Sequence, residues 1–397
     1  MKVAVMGYGT IGSGVVEILD RNKEILAKRV GEPLELKSVL DLREFEGDPI
    51  QPYVVHDYMQ IVNDPEIDIV VETMGGVEPA FTFVKAMLES GKSVCTSNKA
   101  LVADKGAQLI RIAQENGANF LFEASVGGGI PIIRVMQRCL TGDVIEGITG
   151  IVNGTTNYMM TKMFDEGSEF DDVLKEAQAL GYAERDPSAD IEGYDACRKI
   201  AILTSIAAGM QVDYQDIPTE GITKISATDM KYAKAMGRTI KLFATSRIVG
   251  DSYACRVAPY LVASDHTLYN VNGVFNAVML EGNMLGTGMF YGSGAGKLPT
   301  ASAVVGDIVD LAKHKGKKIP LIWDEKKLEL ADPDEMTGRF FIRTSASEAD
   351  AVSIFGEIET VDAGIEGEIG FITRTMTEKK AAKMAADIGA KQLIRLA

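Results

Sequence analysis

Short apolar runs alternate with longer amphipathic stretches over the first third of the chain. The apolar runs have the length of β-strands, and they are residues 2–6, 35–41, 67–72, 93–96 and 119–123. The stretches with apolar residues at helical spacing are about 15–29, 79–90 and 105–116. Strands that alternate with helices in this way form a parallel sheet with helices on both faces. The pattern predicts an α/β protein with a doubly wound sheet, whose ligands bind beyond the carboxyl ends of the strands.

The first strand runs directly into a glycine-rich turn. Gly7, Gly9 and Gly12 form a G-x-G-x-x-G pattern, in which Thr10 and Ile11 lie between the last two glycines. A helical pattern follows it. In this context the glycines permit a tight turn, close approach of a pyrophosphate and close packing of helix on strand. The segment predicts a dinucleotide site at a helix N-terminus. The alternative is a glycine-rich turn of an unrelated α/β domain.

Charged residues follow two later strands of this sheet. Asp41 ends the second strand, where a carboxylate accepts hydrogen bonds from the ribose of NAD, and Arg43 can instead pair with the 2′-phosphate of NADP. An exposed Asp–Arg turn is also compatible with this pattern. Lys99 follows the strand 93–96, where nicotinamide and substrate would meet, although a solvated loop lysine fits the same position.

The middle of the chain breaks the alternation with a glycine-rich bend at 124–131. Glycine tolerates unusual backbone angles, so such a bend can turn several carbonyl groups in one direction. Together with Glu123 it can hold a hard monovalent cation, or it can serve only as a hinge between domains. The residues alone favour the hinge.

A dense polar segment follows at 181–199. Asp195 and Lys199 are four residues apart, on one face of a predicted helix, and Glu184 and Asp190 lie just before them. One interpretation is a solvated loop with a single helical ion pair. The other is a site in which carboxylates bind a substrate ammonium group and a lysine acts on a carbonyl oxygen.

Composition narrows the classes of protein. The 397 residues, at roughly 150 per domain, predict two or three domains. A net charge of −15 disfavours nucleic-acid binding, and no apolar run or leader pattern predicts a membrane span or a signal peptide. Four widely spaced cysteines indicate free thiols in the cytoplasm. With only three scattered histidines, we expect lysine, aspartate or glutamate to carry any proton chemistry.

Six segments over residues 1–320 resemble the homoserine dehydrogenase family in the family's order. They are GYGTIGSGVVE, SNKALVA, EASVGGGIP, GIVNGTTNY, GYAERDPSADIEGYDACRKIAIL and GSGAGKLPTASAVVGDIVD. The family interconverts L-aspartate 4-semialdehyde and L-homoserine with NAD(P)H, in threonine and methionine biosynthesis. The resemblance thus implies a small-molecule substrate and a homodimeric or homotetrameric oxidoreductase.

The resemblance also implies roles for individual residues. Lys199 matches the lysine that donates and accepts the substrate proton, Lys99 matches a lysine beside the nicotinamide that can share this task, and Asp195 joins them. Glu184, Asp190 and Asp195 match acids around the substrate ammonium, and Thr155 matches a residue near its carboxylate. Gly181 and Gly296 match further cofactor contacts. Glu123, Val126, Gly128 and Ile130 match a structural sodium site built largely of backbone oxygens, which replaces the hinge interpretation.

The domain organisation that the resemblance implies is discontinuous. We expect residues 1–129 and 296–320 to form the dinucleotide-binding domain, and 130–295 to form an α+β substrate and dimerisation domain. A short tail at 338–397 resembles a βαβαβ remnant of an ACT module, with strands at 339–343, 367–374 and 392–396. Its segment 344–348 lacks the Asp-x-Pro-Gly turn of that module, which favours a structural or oligomerising tail.

Two other functions remain open from the sequence. One is a dehydrogenase of another amino-acid aldehyde or ketone on the same scaffold, which a substrate panel would distinguish. The other is a non-catalytic dinucleotide sensor. The set of Lys99, Glu184, Asp195 and Lys199 disfavours a sensor, because a sensor needs no acid.

Overall fold

The computed structural model describes all residues from Met1 to Ala397. The strands are β1 (Lys2–Met6), β2 (Glu35–Leu40), β3 (Val54–Val55), β4 (Ile67–Glu72), β5 (Ser93–Thr96), β6 (Phe120–Leu121), β7 (Ile145–Ile151), β8 (Met210–Gln211), β9 (Arg238–Val249), β10 (Ser252–Ala263), β11 (Phe275–Gly282), β12 (Gly286–Ser293), β13 (Asp324–Lys327), β14 (Thr337–Gly338), β15 (Phe340–Thr344), β16 (Ile358–Val361), β17 (Ile369–Thr373), β18 (Met376–Thr377) and β19 (Ala390–Leu396). The α-helices are α1 (Thr10–Arg21), α2 (Lys23–Val30), α3 (Tyr58–Val62), α4 (Ala80–Glu89), α5 (Lys99–Glu115), α6 (Gly154–Glu166), α7 (Phe170–Ala179), α8 (Ser188–Ile191), α9 (Tyr194–Ala208), α10 (Ala227–Ala235), α11 (Lys297–Lys313), α12 (Glu348–Phe355) and α13 (Glu378–Asp387). No helix is long and apolar enough to span a bilayer.

The N-terminal sheet has six parallel strands in the order β3-β2-β1-β4-β5-β6. This is the strand order of a Rossmann fold, and it confirms the predicted doubly wound sheet. Strands β1 and β4 are apolar because they lie in the middle of the sheet and are covered on both faces. Helix α11 returns from the second half of the chain to pack on α1, where a Cβ at Gly14 would lie 2.9 Å from the Ala301 Cβ.

The second sheet is mixed and has nine strands, in the order β12-β11-β7-β9-β10-β19-β15-β17-β16. Helices α6, α9 and α10 pack on its strands, and the apolar residues of α9 lie in the main core. Because α9 also packs against α5, the two sheets meet along this pair of helices.

The C-terminal tail differs from its predicted βαβαβ order. Helix α12 ends at Phe355, because Gly356 has a positive φ of 75°, and the chain then forms β16, so the order is βαββαβ. Within the tail, the strands β16, β17, β15 and β19 pair with one another in antiparallel fashion. Strand β19 also pairs in parallel with β10, which joins the tail to the larger sheet. The domain boundaries given above remain predictions.

Two helices of the first sheet begin or end away from their predicted bounds. The pattern expected over 15–29 forms two helices that meet at Asn22. Helix α5 begins at Lys99, earlier than predicted, because the side chain of Asn98 caps it by accepting from the Leu101 backbone N–H at 3.1 Å. Lys99 is therefore the first residue of a helix and lies directly beyond the carboxyl end of β5.

Candidate active site

The glycine turn has the geometry of a phosphate site. Gly7 has a φ of +98°, and a Cβ at Gly12 would lie 1.9 Å from the Gly7 carbonyl oxygen, so both positions require glycine. Gly9 is the N-cap of α1 and supplies no side chain to the free N–H groups at Thr10 and Ile11, and the space beside it is open. This helix N-terminus can therefore receive an anionic group.

Asp41 and Arg43 lie together beside the turn. The Asp41 carboxylate accepts from the Tyr8 backbone N–H at 2.9 Å and from the Arg43 Nε and Nη2 at 2.9 Å each. The Arg43 guanidinium holds the pKa of Asp41 well below its usual range. The arginine side chain is 60% exposed, so it can turn toward a ligand while Asp41 stays fixed by the backbone.

Three charged residues from the two halves of the chain form a continuous group. The Asp195 carboxylate, 2% exposed, lies 2.5 Å from the Lys99 Nζ through Oδ1 and 2.7 Å from the Lys199 Nζ through Oδ2. Lys199 also donates to the Val152 carbonyl at 2.6 Å. Because α9 begins directly after Gly193, Asp195 lies in its first turn and Lys199 one turn later on the same face. The structure thus brings together the three residues assigned to catalysis.

The surroundings shift the pKa values of Lys99 and Lys199 differently. Burial, reinforced by the charge of Lys99, keeps the pKa of Lys199 below its usual value although Asp195 opposes this. Burial also acts to lower the pKa of Lys99, but the Asp195 carboxylate outweighs it and leaves that pKa raised. Burial acts to raise the pKa of Asp195, but the two ammonium groups hold it well below its usual range. Burial dominates the pKa of Lys199 and the Asp195 carboxylate that of Lys99, so the two pKa values are shifted in opposite directions, as in acid–base sites.

Asn153 links Asp195 to Asp190, and it was not identified from the sequence. Its Nδ2 donates to Asp190 Oδ1 at 2.7 Å and to Asp195 Oδ2 at 2.8 Å. Its Oδ1 caps α6 by accepting from the Thr156 backbone N–H at 2.9 Å. The sequence signal is only an asparagine followed by Gly154, Thr155 and Thr156, which is compatible with an N-cap and does not reveal the bridge between two acids.

The remaining predicted substrate and cofactor residues lie in separate places. Thr155 is buried next to Asn153, and its hydroxyl donates to the Tyr182 carbonyl at 2.6 Å. The Glu184 side chain is exposed and makes no hydrogen bond or ion pair, so it does not contact the lysine group. Gly181, with φ +75°, precedes that loop, and Gly296, with φ +110°, caps the start of α11.

A buried acid shapes the turn that follows β4. Glu72 accepts from the Met74 backbone N–H at 2.7 Å and from the Gly75 backbone N–H at 3.3 Å, and it also accepts from the Thr96 hydroxyl. Burial raises its pKa. The turn is tied in addition to Asn98, whose Nδ2 donates to the Gly76 carbonyl. Glu72 therefore holds the edge of the sheet from which Lys99 extends.

The glycine bend leaves two backbone oxygens without a hydrogen bond. Gly127 and Gly128 have φ values of +71° and +53°, and the carbonyls of Val126 and Gly128 accept no hydrogen bond from the chain. The Ile130 carbonyl accepts from the Ile132 N–H at 3.0 Å. The Glu123 carboxylate accepts from two backbone N–H groups, of Ile133 at 2.9 Å and Arg134 at 2.7 Å. No group of three or more His, Cys, Asp or Glu side chains is arranged to hold a metal ion. A cation at this bend would depend on carbonyl oxygens.

Comparisons with known proteins show which family this chain is similar to. Residues 7–123 match the model "Homoserine dehydrogenase, NAD binding domain", and residues 131–309 match the model "Homoserine dehydrogenase". The homoserine dehydrogenase of Bacillus subtilis (strain 168) is 39% identical over 367 residues, which are 91% of this chain and 84% of that protein. The homoserine dehydrogenase of Synechocystis sp. is 45% identical over 322 residues, 78% of this chain and 73% of that protein.

Solved structures give the same result. The crystal structure of a homoserine dehydrogenase from Thiobacillus denitrificans superposes with a TM-score of 0.92 at 35% identity, covering 100% of this chain and 98% of that one. A hyperthermophilic archaeal homoserine dehydrogenase in complex with NADPH superposes with a TM-score of 0.67 at 30% identity, covering 81% of this chain and 99% of that one. On these matches, this chain belongs to the homoserine dehydrogenase family of NAD(P)-dependent oxidoreductases.

Proposed function

We propose that the chain interconverts L-homoserine and L-aspartate 4-semialdehyde at the Lys99–Asp195–Lys199 group. The observation that carries this proposal is the buried carboxylate shared by two ammonium groups of opposite pKa shift, at the junction of the two sheets. The bound nicotinamide supplies or accepts the hydride at the carbon that is aldehyde in one direction and alcohol in the other. The protein must hold that carbon, stabilise charge on its oxygen, and move one proton.

Lys199 is proposed as the group that moves the proton. Its lowered pKa brings it closer to neutral pH, so that it can donate to the oxygen during reduction and accept from the hydroxyl during oxidation. Lys99, with its raised pKa, stays charged and stabilises the developing oxyanion. Arginine would not serve in place of Lys199, because its guanidinium does not lose a proton in proteins.

Substrate binding is proposed to rest on the residues around Asn153. Both oxygens of Asp195 already face lysines, so the substrate ammonium is assigned chiefly to Asp190 and to Glu184 on its exposed loop. The free N–H groups at the start of α6, at Gly154 and Thr155, are assigned to the substrate carboxylate. Absorbance of the reduced nicotinamide, with L-homoserine and either NAD⁺ or NADP⁺, tests the activity, and a chain that reduces neither cofactor with L-homoserine would not be this enzyme.

A structural sodium ion is proposed at the glycine bend. The unpartnered carbonyls of Val126 and Gly128 would hold such an ion, together with Ile130 and Glu123, because Na⁺ prefers oxygen ligands. Replacing Na⁺ with a large organic cation in the buffer is expected to lower the thermal unfolding temperature. An unchanged unfolding temperature would count against the ion.

The chain is also proposed to form a homodimer through the edge at β12. This strand has no neighbour on its outer side, and its vicinity exposes large apolar side chains. These are Phe275, Met284, Leu285, Met289 and Tyr291. An exposed apolar edge strand favours pairing with another chain, here a second copy. Met289→Lys is expected to shift the molar mass in solution toward the monomer.

The C-terminal tail is proposed to have a structural role. Arg395 of β19 is buried between Glu378 of the tail and Glu220 of the substrate half, and Arg343 pairs with Asp229 of α10 at 2.9 Å. These ion pairs, with the β10–β19 pairing, fix the tail to the larger sheet.

The protein is also proposed to reside in the cytoplasm. Its four free cysteines support this, because an oxidising compartment would disfavour free thiols.

A further inference from the structure

One buried side chain of the second sheet has no partner for its amide. Asn276 of β11 is 1% exposed, and neither its Oδ1 nor its Nδ2 forms a hydrogen bond. The buried asparagines Asn98, Asn119 and Asn157 all have both side-chain atoms paired. A buried amide without partners is unfavourable, and Asn276 differs in this from the three paired asparagines.

The amide lies against the glycine loop 292–296 and the start of α6. A Cβ at Gly294 would be 2.1 Å from the Asn276 Nδ2, so only glycine allows the loop to lie this close to the amide. On the other side, a Cβ at Gly154 would be 3.7 Å from the Asn276 Oδ1. Asn276 therefore lies between the segment that leads to Gly296 and the helix end proposed to hold the substrate carboxylate.

The same loop contacts the glycine bend. The Gly129 backbone N–H donates to the Ser293 carbonyl at 3.0 Å, and a Cβ at Gly128 would be 2.5 Å from the Gly294 carbonyl oxygen. The loop thus connects β12 of the large sheet to α11 on the six-stranded sheet, and its position sets where Gly296 lies, the residue that the family resemblance assigns to the cofactor. The amide lies in contact with this loop, whose backbone N–H and carbonyl groups are the kind of partner that an amide can bind.

We infer that Asn276 is a positioning residue that holds the loop 292–296 in its cofactor-bound place, through hydrogen bonds between its amide and the loop backbone. The amide can donate to one carbonyl and accept from one N–H, as a peptide group does. The inference rests on the proposed contact of Gly296 with the cofactor. It predicts that these bonds form when NAD(P)H binds and therefore contribute to cofactor affinity, whereas they contribute nothing to the stability of the free protein.

Asn276→Leu tests this, because leucine has nearly the same shape and no hydrogen-bonding group. The unfolding temperature of the cofactor-free variant is expected to equal or exceed that of the unaltered protein. The dissociation constant for NADPH, measured by its fluorescence, is expected to rise about tenfold, which corresponds to about 1.4 kcal/mol. The KM for NADPH is expected to rise equally, with kcat at saturating cofactor within about twofold.

Asn119→Leu is the matched control. Asn119 is a buried asparagine whose amide is paired with Lys317 and Ile319, so its loss should lower the unfolding temperature and leave NADPH affinity unchanged. If Asn276→Leu does not fold, Asn276→Ala is measured in the same way. NADPH affinity within about twofold of the unaltered protein, in the folded variant, would overturn the inference. Fluorescence titration does not need L-homoserine, so this result stays distinct from any failure of the proposed reaction.

Discussion

Replacing Asp195 by asparagine removes the charge that two lysines share while preserving the shape of the side chain. In the protein, Oδ1 faces Lys99 at 2.5 Å and Oδ2 faces Lys199 at 2.7 Å. An asparagine can present its oxygen to only one of the two, and its NH₂ group would then face the other lysine. Asn153, which donates to Oδ2, would lose an acceptor in one of the two orientations.

The expected cost follows from the burial of the group. Two unit charges about 4 Å apart attract by about 4 kcal/mol at an effective dielectric constant of about 20. Removing one partner of a buried pair costs about 3–5 kcal/mol. The Lys99 side chain is 43% exposed, so water screens its share. We therefore expect the free energy of unfolding to fall by about 3 kcal/mol, almost all of it from Lys199.

The pH dependence supplies a sharper test than stability. Without the Asp195 carboxylate, only the more distant charge of Asp190 opposes burial and Lys99, so the pKa of Lys199 falls further below its usual value. Oxidation of the alcohol requires neutral Lys199, so the rate of oxidation should begin its rise at a lower pH in Asp195→Asn. Reduction requires protonated Lys199, so its rate should begin to fall at a lower pH as well.

The assay is kcat against pH in both directions, with urea unfolding in parallel. Asp172→Asn is the control, since Asp172 forms only an exposed pair with Lys175 at 3.4 Å and should change neither profile nor stability. A profile in Asp195→Asn that stays in place, or moves to higher pH, would refute the assignment of Lys199 as the proton carrier.

Three further predictions concern other parts of the molecule. Arg43→Ala should raise the KM for NADPH about tenfold relative to the KM for NADH, since Asp41 then faces the ribose alone. A ratio of the two KM values equal to that of the unaltered protein would exclude Arg43 from 2′-phosphate binding. Lys241→Met should cost about 1–3 kcal/mol in urea unfolding, because the buried Lys241 Nζ donates to the Val271 carbonyl and the Asn272 side chain at 2.7 Å each. Burial lowers the pKa of Lys241 to about 8, so above that pH the unfolded chain binds more protons than the folded protein. The free energy of unfolding of the unaltered protein should therefore rise between about pH 8 and 10, and that of Lys241→Met should not. L-threonine should not inhibit the enzyme, and saturable inhibition would show that the tail binds an effector.

Much of the first sheet was predictable because each signal is local. A strand, a G-x-G-x-x-G turn and a helix follow one another within 21 residues, and the clash that a Cβ at Gly12 would make with Gly7 arises from that turn alone. The pairing of Asp195 with Lys199 was also predictable from their spacing on one helix. The tail strand β16 could not be predicted because it has only four residues, and its apolar residues, Ile358 and Val361, do not alternate with polar ones.

The parts that depend on distant segments could not be predicted from the residues alone. The contact of Lys99 with Asp195 requires α5 and α9 to pack together across the two sheets. The bridge from Asn153 to Asp190 and Asp195, and the joining of β19 to β10, likewise bring together residues far apart in the chain. Family resemblance, rather than spacing, linked Lys99 to Lys199 in one site.

The central claim is that Lys199 carries the proton for hydride transfer. The most direct test measures NADP⁺ reduction with L-homoserine by the unaltered enzyme and by Lys199→Ala, alongside NADPH binding by fluorescence. We expect kcat to fall about 10²–10⁴-fold while the dissociation constant for NADPH stays within about twofold. Turnover by Lys199→Ala close to that of the unaltered enzyme would contradict the account.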